Sequence, residues 1–149
     1  MKALIVYWSK YGNTKQVAEA IARGMKSAKS VEAIVKDVRS TEPEETMEYD
    51  VLVIGSANHI GRPVGDIRKF LKKLAEINLE GKKGAVFDTH IKNDLKTVQK
   101  MEKQIREKIT GLKLVIPGLA TRVEGMKGPL CEGELPRAEE FGKSIVAEV

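Results

Sequence analysis

Two hydrophobic periods alternate along the chain. Residues 3–7, 51–54 and 85–87 form short, wholly apolar runs of strand length, the pattern of strands buried on both faces of a parallel sheet. Between and after them, apolar residues recur at helical spacing: Val17, Ala18, Ile21, Ala22 and Met25; Ile67, Phe70, Leu71 and Leu74; Leu95, Val98, Met101, Ile105 and Ile109. Residues 31–38 alternate as a half-buried strand. Residues 112–116 read as a last strand, interrupted by Pro117-Gly118 and resuming over 119–123, and residues 135–149 as a closing helix with Phe141, Ile145 and Val146 inward. The polar or glycine-bearing stretches 37–48, 56–65, 88–94 and 124–133 read as loops, the first with room for a short helical turn.

Strands alternating with helices predict an α/β protein: a parallel sheet covered on both faces, with right-handed crossovers. In such sheets ligands bind beyond the carboxyl ends of the strands, where the strand order reverses. The loops over residues 9–14, 56–61 and 88–94 then converge on one crevice.

The first of these loops has the clearest chemistry. Ser9-Lys-Tyr-Gly-Asn-Thr14 joins an apolar strand to an amphipathic helix, placing backbone N–H groups at the positive end of a helix dipole. Such a place binds an anion, most often a phosphate, and the Ser9 and Thr14 hydroxyls add two further hydrogen bonds. Each charge-assisted bond contributes about 1.5–3 kcal/mol. Gly12 lets the backbone approach closely. Lys10 and Lys15 either neutralise the remaining phosphate charge or stand as exposed lysines beside a helix start.

Composition narrows the picture. The 149 residues fit one domain spanning 1–149. No apolar run approaches a membrane span or a signal-peptide core, which predicts a cytoplasmic protein without a membrane span. One cysteine, Cys131, excludes an intramolecular disulfide, and with His59 and His90 the only histidines, metal binding has little support. The net charge of +5 favours acidic partners, but the lysines are scattered and no aromatic-interleaved basic stripe points to nucleic acid. A Walker-type loop, a cysteine phosphatase loop and the acidic strand end of a response regulator are all missing, the last replaced by Tyr7-Trp8.

The segment Ile5-Val-Tyr-x-Ser9-x-x-Gly12-x-Thr14-x-x-x-Ala18-x-x-Ile21 resembles the phosphate-loop signature of the flavodoxin family, and residues 49–56 resemble that family's third strand and the start of its second flavin loop. The resemblance covers essentially the whole chain. It implies a flavodoxin-like three-layer sandwich with a five-stranded parallel sheet of order 2-1-3-4-5. It also implies a non-covalent FMN used as an electron carrier between redox proteins, the carrier being a monomer or homodimer. The cofactor-binding residues carried over are Ser9, Lys10, Tyr11, Gly12, Asn13 and Thr14 in the first loop. Ser56, Ala57, Asn58, His59, Ile60 and Gly61 follow in the second, and Asp88, Thr89, His90 and Ile91 in the third. Asp88, Thr89 and Asn93 suit the flavin's pyrimidine edge, which wants donors and acceptors together; Asp88 at a strand end alternatively caps the loop.

The ring end departs from the best-known flavodoxins. Their second loop typically offers a tryptophan and their third a tyrosine, whereas His59 or Ile60 and His90 or Ile91 stand here. Fewer aromatics and a basic surface predict a less negative potential for the second electron. Residues 55–61 also resemble the matching loop of flavodoxin-like protoporphyrinogen oxidases. The alternatives are therefore an oxidoreductase acting on a small quinone or porphyrinogen acceptor, or a flavin-free phosphate-binding module on the same fold.

Overall fold

The computed structural model describes residues 1–92 and 94–149. Its elements follow the hydrophobic periods. Strand β1 (Lys2–Tyr7) leads through the first loop to α1 (Asn13–Lys26), and β2 (Glu32–Asp37) is followed by two short 3-10 turns. Next come β3 (Val51–Ala57), α2 (Gly65–Leu74), β4 (Lys83–His90), α3 (Lys96–Lys108), β5 (Lys113–Leu114), β6 (Leu119–Arg122) and α4 (Glu134–Glu148). The parallel sheet runs β2-β1-β3-β4-β5, the expected order.

Strand alternation divides the core into two layers. Ala3 and Ile5 of β1, Val51 and Val53 of β3 and Phe87 of β4 pack under α1 and α4. Their neighbours Leu4, Val6, Leu52, Ile54 and Val86 face α2 and α3. The result is three layers, with the carboxyl ends of β1, β3 and β4 side by side.

The last strand is interrupted at Pro117-Gly118 as expected, and one other expectation needs correction. The fifth position of the sheet holds two short strands: β5 pairs with Lys83 and Gly84, while β6 pairs with Phe87 to His90. The gap at residues 115–118 contains Pro117, which has no N–H to give a ladder, and Gly118, whose N–H donates instead to Glu102 Oε2 at 2.9 Å. Residues 56–57 and 88–90, expected in loops, extend β3 and β4. Ser56 pairs with Asp88 and Ala57 with Thr89, and β6 takes the other edge of β4. The polar side chains here contact groups within the sheet layers: Ser56 with Ala57 O and Val64 N–H, Thr89 with Thr14, and Asp88 with His90.

Candidate functional site

Helix α1 begins without the usual devices. Its N-cap is Gly12, in the left-handed region at φ 93°, with no side-chain cap and no acidic residue in the first turn. A Cβ on Gly12 would meet open space, so glycine is required by the backbone angle and not by a close contact within the protein. The Gly12 N–H donates to Ser9 Oγ at 2.9 Å, tightening the loop. Among the described residues, the N–H groups of Lys10, Tyr11, Asn13, Thr14 and Lys15 donate to no protein acceptor. Five donors and the dipole of a fourteen-residue helix thus stand uncompensated within residues 10–15. The Lys10 and Lys127 ammonium groups stand 5.4 and 6.0 Å from the Tyr11 ring centroid, adding positive potential to the same corner.

The β3 loop is a tight hairpin-like turn. His59 N–H donates to Arg62 O at 2.8 Å, and the Asn58 side chain accepts from Gly61 N–H at 2.7 Å. Ile60 and Gly61 at its tip have φ of 56° and 75°. Ile60 is 87% exposed, a β-branched residue held in a conformation that costs about 1–2 kcal/mol. Asn58 Nδ2 also reaches Asp94 at 3.3 Å, tying this loop to the one after β4.

Along the end of β4, side chains alternate between faces. Thr89 shares the face of Phe87 and its hydroxyl meets that of Thr14 on α1 at 2.8 Å, joining β4 to the helix start. Asp88 and His90 point to the opposite face, where His90 Nδ1 lies 3.1 Å from Asp88 Oδ1. The segment after β6 folds back over the first loop, with Gly128 against the Asn13 amide.

These loops enclose a crevice of about 710 Å³, a size suited to a small-molecule cofactor. Ser9, Lys10, Tyr11, Asn13 and Thr14 line it from the first loop, Ala57, Asn58 and His59 from the second, and Thr89, His90 and Ile91 from the third. The other expected residues stand elsewhere. Gly12 and Gly61 shape turns, and Ile60 projects outward. Ser56 is buried, its hydroxyl donating to Ala57 O and accepting from Val64 N–H. Asp88 is buried behind His90. Asn93 lies outside the described residues.

A flavodoxin-domain model matches residues 4–125 of the chain. The chain belongs to the flavodoxin family. Members of this family are FMN-binding electron-transfer flavoproteins. A flavodoxin of Clostridium saccharobutylicum is 30% identical over 89 residues, a match covering 60% of this chain and 56% of that relative, so the chain spans little over half of its length. The fold agrees with a flavodoxin from the domain Archaea at 27% identity and a TM-score of 0.84, covering 99% of this chain and 97% of that one. Oxidised flavodoxin 2 of Bacillus cereus is 26% identical, with a TM-score of 0.85 over 100% of both chains.

The donor set fits FMN at its phosphate end: five unused N–H groups, two hydroxyls and nearby lysines suit a dianion. The wall of the crevice also contains residues that sequence reasoning overlooked. Trp8, Arg39, Val64, Gly65, Asp66, Val123 and Met126 all line it. Trp8 directly follows β1, and its indole lies 5.9 Å from the Arg39 guanidinium. Arg39 follows β2, which adjoins β1, and donates to Ser9 O at 3.3 Å while paired with Asp37. Asp37 is held below the usual carboxylate range by that guanidinium. Met126 left no local signal; only the fold-back of the glycine-rich segment brings it in.

Proposed function

We propose that residues 1–149 act as one flavodoxin-like domain that binds FMN non-covalently in this crevice and carries electrons between redox partners in the cytoplasm. The observation that supports this most directly is the uncompensated donor cluster at the start of α1, open to a crevice between the three loops. FMN, when bound, supplies the redox chemistry. The protein's own residues bind and orient it.

Lys10, Tyr11, Asn13, Thr14 and Lys15 offer backbone N–H groups to the phosphate, and Ser9 and Thr14 their hydroxyls. Trp8 and Tyr11 provide flat apolar surface, the first in place of the loop aromatics usual in the family. Asn58, His59, Thr89 and His90 supply polar groups for the ring's edges, with Ile91 as apolar wall. Gly12, Ser56, Gly61 and Asp88 support these contacts from behind, and Ile60 stands at the mouth.

The mouth favours an acidic protein partner. Tyr11, Ile60, Ile91 and Met126 are exposed apolar residues, set among Lys10, Arg62, Lys92 and Lys127 on a chain of net charge +5. Apolar contact with a basic surround suits a carrier with carboxylates around its own redox group. No helix among the described residues is long and apolar enough to cross a membrane.

Titration of cofactor-free protein with FMN and with riboflavin tests the reading. FMN binds with quenching of its fluorescence, and riboflavin at least a hundredfold more weakly, since the phosphate contacts exceed about 3 kcal/mol together. Thr14→Val weakens FMN by about tenfold, one charge-assisted bond, and leaves riboflavin unchanged. A protein that takes up neither flavin refutes the proposal and leaves the flavin-free phosphate module.

A further inference from the structure

The crevice wall at the end of β4 holds a charged arrangement that binding the phosphate does not use. Asp88 is fully buried and His90 is 4% exposed. The carboxylate takes His90 Nδ1 at 3.1 Å, and Asp88 O accepts from the Thr121 hydroxyl at 2.6 Å. Among the described residues, His90 Nε2 and Asp88 Oδ2 are buried with no hydrogen-bond partner, as is Thr97 Oγ1 on the first turn of α3. Buried polar atoms without partners are costly, about 1–3 kcal/mol each, and of these three residues His90 lines the crevice.

The charges that act most strongly on the imidazole are acidic. Asp88 adjoins it on β4, Asp94 stands beyond the strand end, and Glu134 at the start of α4 acts on it as a more distant negative charge, its carboxylate accepting from the Arg122 N–H and the Arg137 guanidinium. Glu134 is itself paired with the Arg137 guanidinium at 2.6 Å, and Arg122 is the residue opposite His90 in β6. His90 is therefore raised above the ordinary imidazole range, chiefly by its bond to Asp88. Burial raises Asp88 as well, against the pull of His90. Both directions describe one fact: the pair together holds a single proton more firmly than a free imidazole does. With Nδ1 occupied by the carboxylate, Nε2 is the atom left to meet a ligand.

We propose that Asp88 and His90 are a proton-holding pair in the crevice wall, Asp88 positioning the imidazole and His90 presenting Nε2–H to an acceptor atom of the bound flavin ring. This rests on the crevice being the FMN site. The pair then places a buried positive end beside the ring and favours the cofactor's more negative, reduced form. It replaces the aromatic cover of the usual third loop by an electrostatic contact.

The test uses wild type, His90→Gln and Asp88→Asn, each checked for native circular dichroism and for FMN binding. The His90 ring protons are followed by NMR against pH in cofactor-free and FMN-loaded protein, and the potential of the second one-electron step is measured over the same range. In wild type His90 titrates above the free imidazole range, and loading with FMN raises it further. His90→Gln weakens the reduced form relative to the oxidised one by about tenfold, which is about 59 mV more negative for a one-electron step. It also removes the pH break, whereas Asp88→Asn lowers both the His90 titration and the break that follows it. Should His90 titrate identically with and without FMN, and His90→Gln keep the wild-type potentials at every pH, the pair is structural only and the inference is overturned. A wild type that binds no FMN overturns the earlier reading instead, so the two failures are distinguishable.

Discussion

Helix α1, which presents the donor cluster, is held by an unusually close crossing with α4, and replacing Gly142 by alanine tests how much that crossing matters. A Cβ on Gly142 would lie 2.1 Å from Ile21 O and 3.0 Å from Met25 N. The contact is reciprocal: a Cβ on Gly24 of α1 would lie 1.9 Å from Glu139 O on α4. Ordinary contact begins at 3.4 Å, so α4 must retreat by more than an ångström, and backbone atoms cannot rotate aside as a side chain does. Retreat loosens the layer that Ile21, Met25, Ala138, Phe141 and Ile145 fill with almost no exposure. Overpacking of this kind costs about 1–3 kcal/mol or more. Against it, alanine gains about 0.8–1 kcal/mol over glycine in helix propensity. The crossing clashes with two backbone groups at once, which puts the cost at the upper end, for a net loss of about 2 kcal/mol. Urea denaturation should show a lower midpoint with unchanged slope, and thermal unfolding a Tm about 4–8 °C lower. Because the donor loop lies at the far end of α1 from Gly24, FMN affinity should fall less than tenfold under native conditions. A Gly142→Ala protein more stable than wild type by about 1 kcal/mol would show that propensity alone governs the site and refute the packing argument.

Two further outcomes follow from other contacts. Glu102, 9% exposed on α3, accepts the N–H of Gly118 at the break between β5 and β6; Glu102→Ala should cost about 1–3 kcal/mol in denaturant unfolding by leaving that donor unmet, while Glu102→Gln, which keeps an acceptor oxygen, should retain most of the stability. The Asp88–His90 pair makes cofactor-free stability depend on pH. His90 has a raised native pKa, so its contribution is complete below the unfolded value of about 6.5 and is lost as pH rises through the native one. The raised Asp88 acts in the same sense, since deprotonating the pair leaves a buried carboxylate without its cation. Chemical denaturation at pH 6 and pH 9 should show wild type less stable at the higher pH and His90→Gln with a much smaller difference; equal loss in both would place the effect elsewhere.

The fold and the first loop are legible locally, and the end of β4 is not. An apolar run such as residues 51–54 dictates a buried strand, and a strand–glycine loop–helix sequence leaves backbone N–H groups free at a helix start, because both depend on neighbours in sequence. Residues 88–90 misled because Asp, Thr and His read as loop by composition. Their place in β4 depends on two ladders from distant segments and on three side-chain partners: Asp88 and His90 for each other, and Thr14 for Thr89. The same non-local pairing hid the chemistry of the third loop. Read as loop residues, Asp88 and His90 were separate candidates for the flavin; strand geometry, with its period of two, puts them on one face, where they contact each other. Arg39 and Met126 were hidden more deeply, one reaching the crevice through strand order and the other through a fold-back onto the first loop. What the second and third loops lack is an aromatic, and what the fold brings to the crevice is Trp8 from just after β1 and His90 from β4, paired with the buried Asp88. Both are invisible until the sheet order is known. Ser9–Thr14 and the Asp88–His90 pair are built on different strands, and among the described residues the Thr14–Thr89 hydroxyl contact joins the start of α1 to the end of β4.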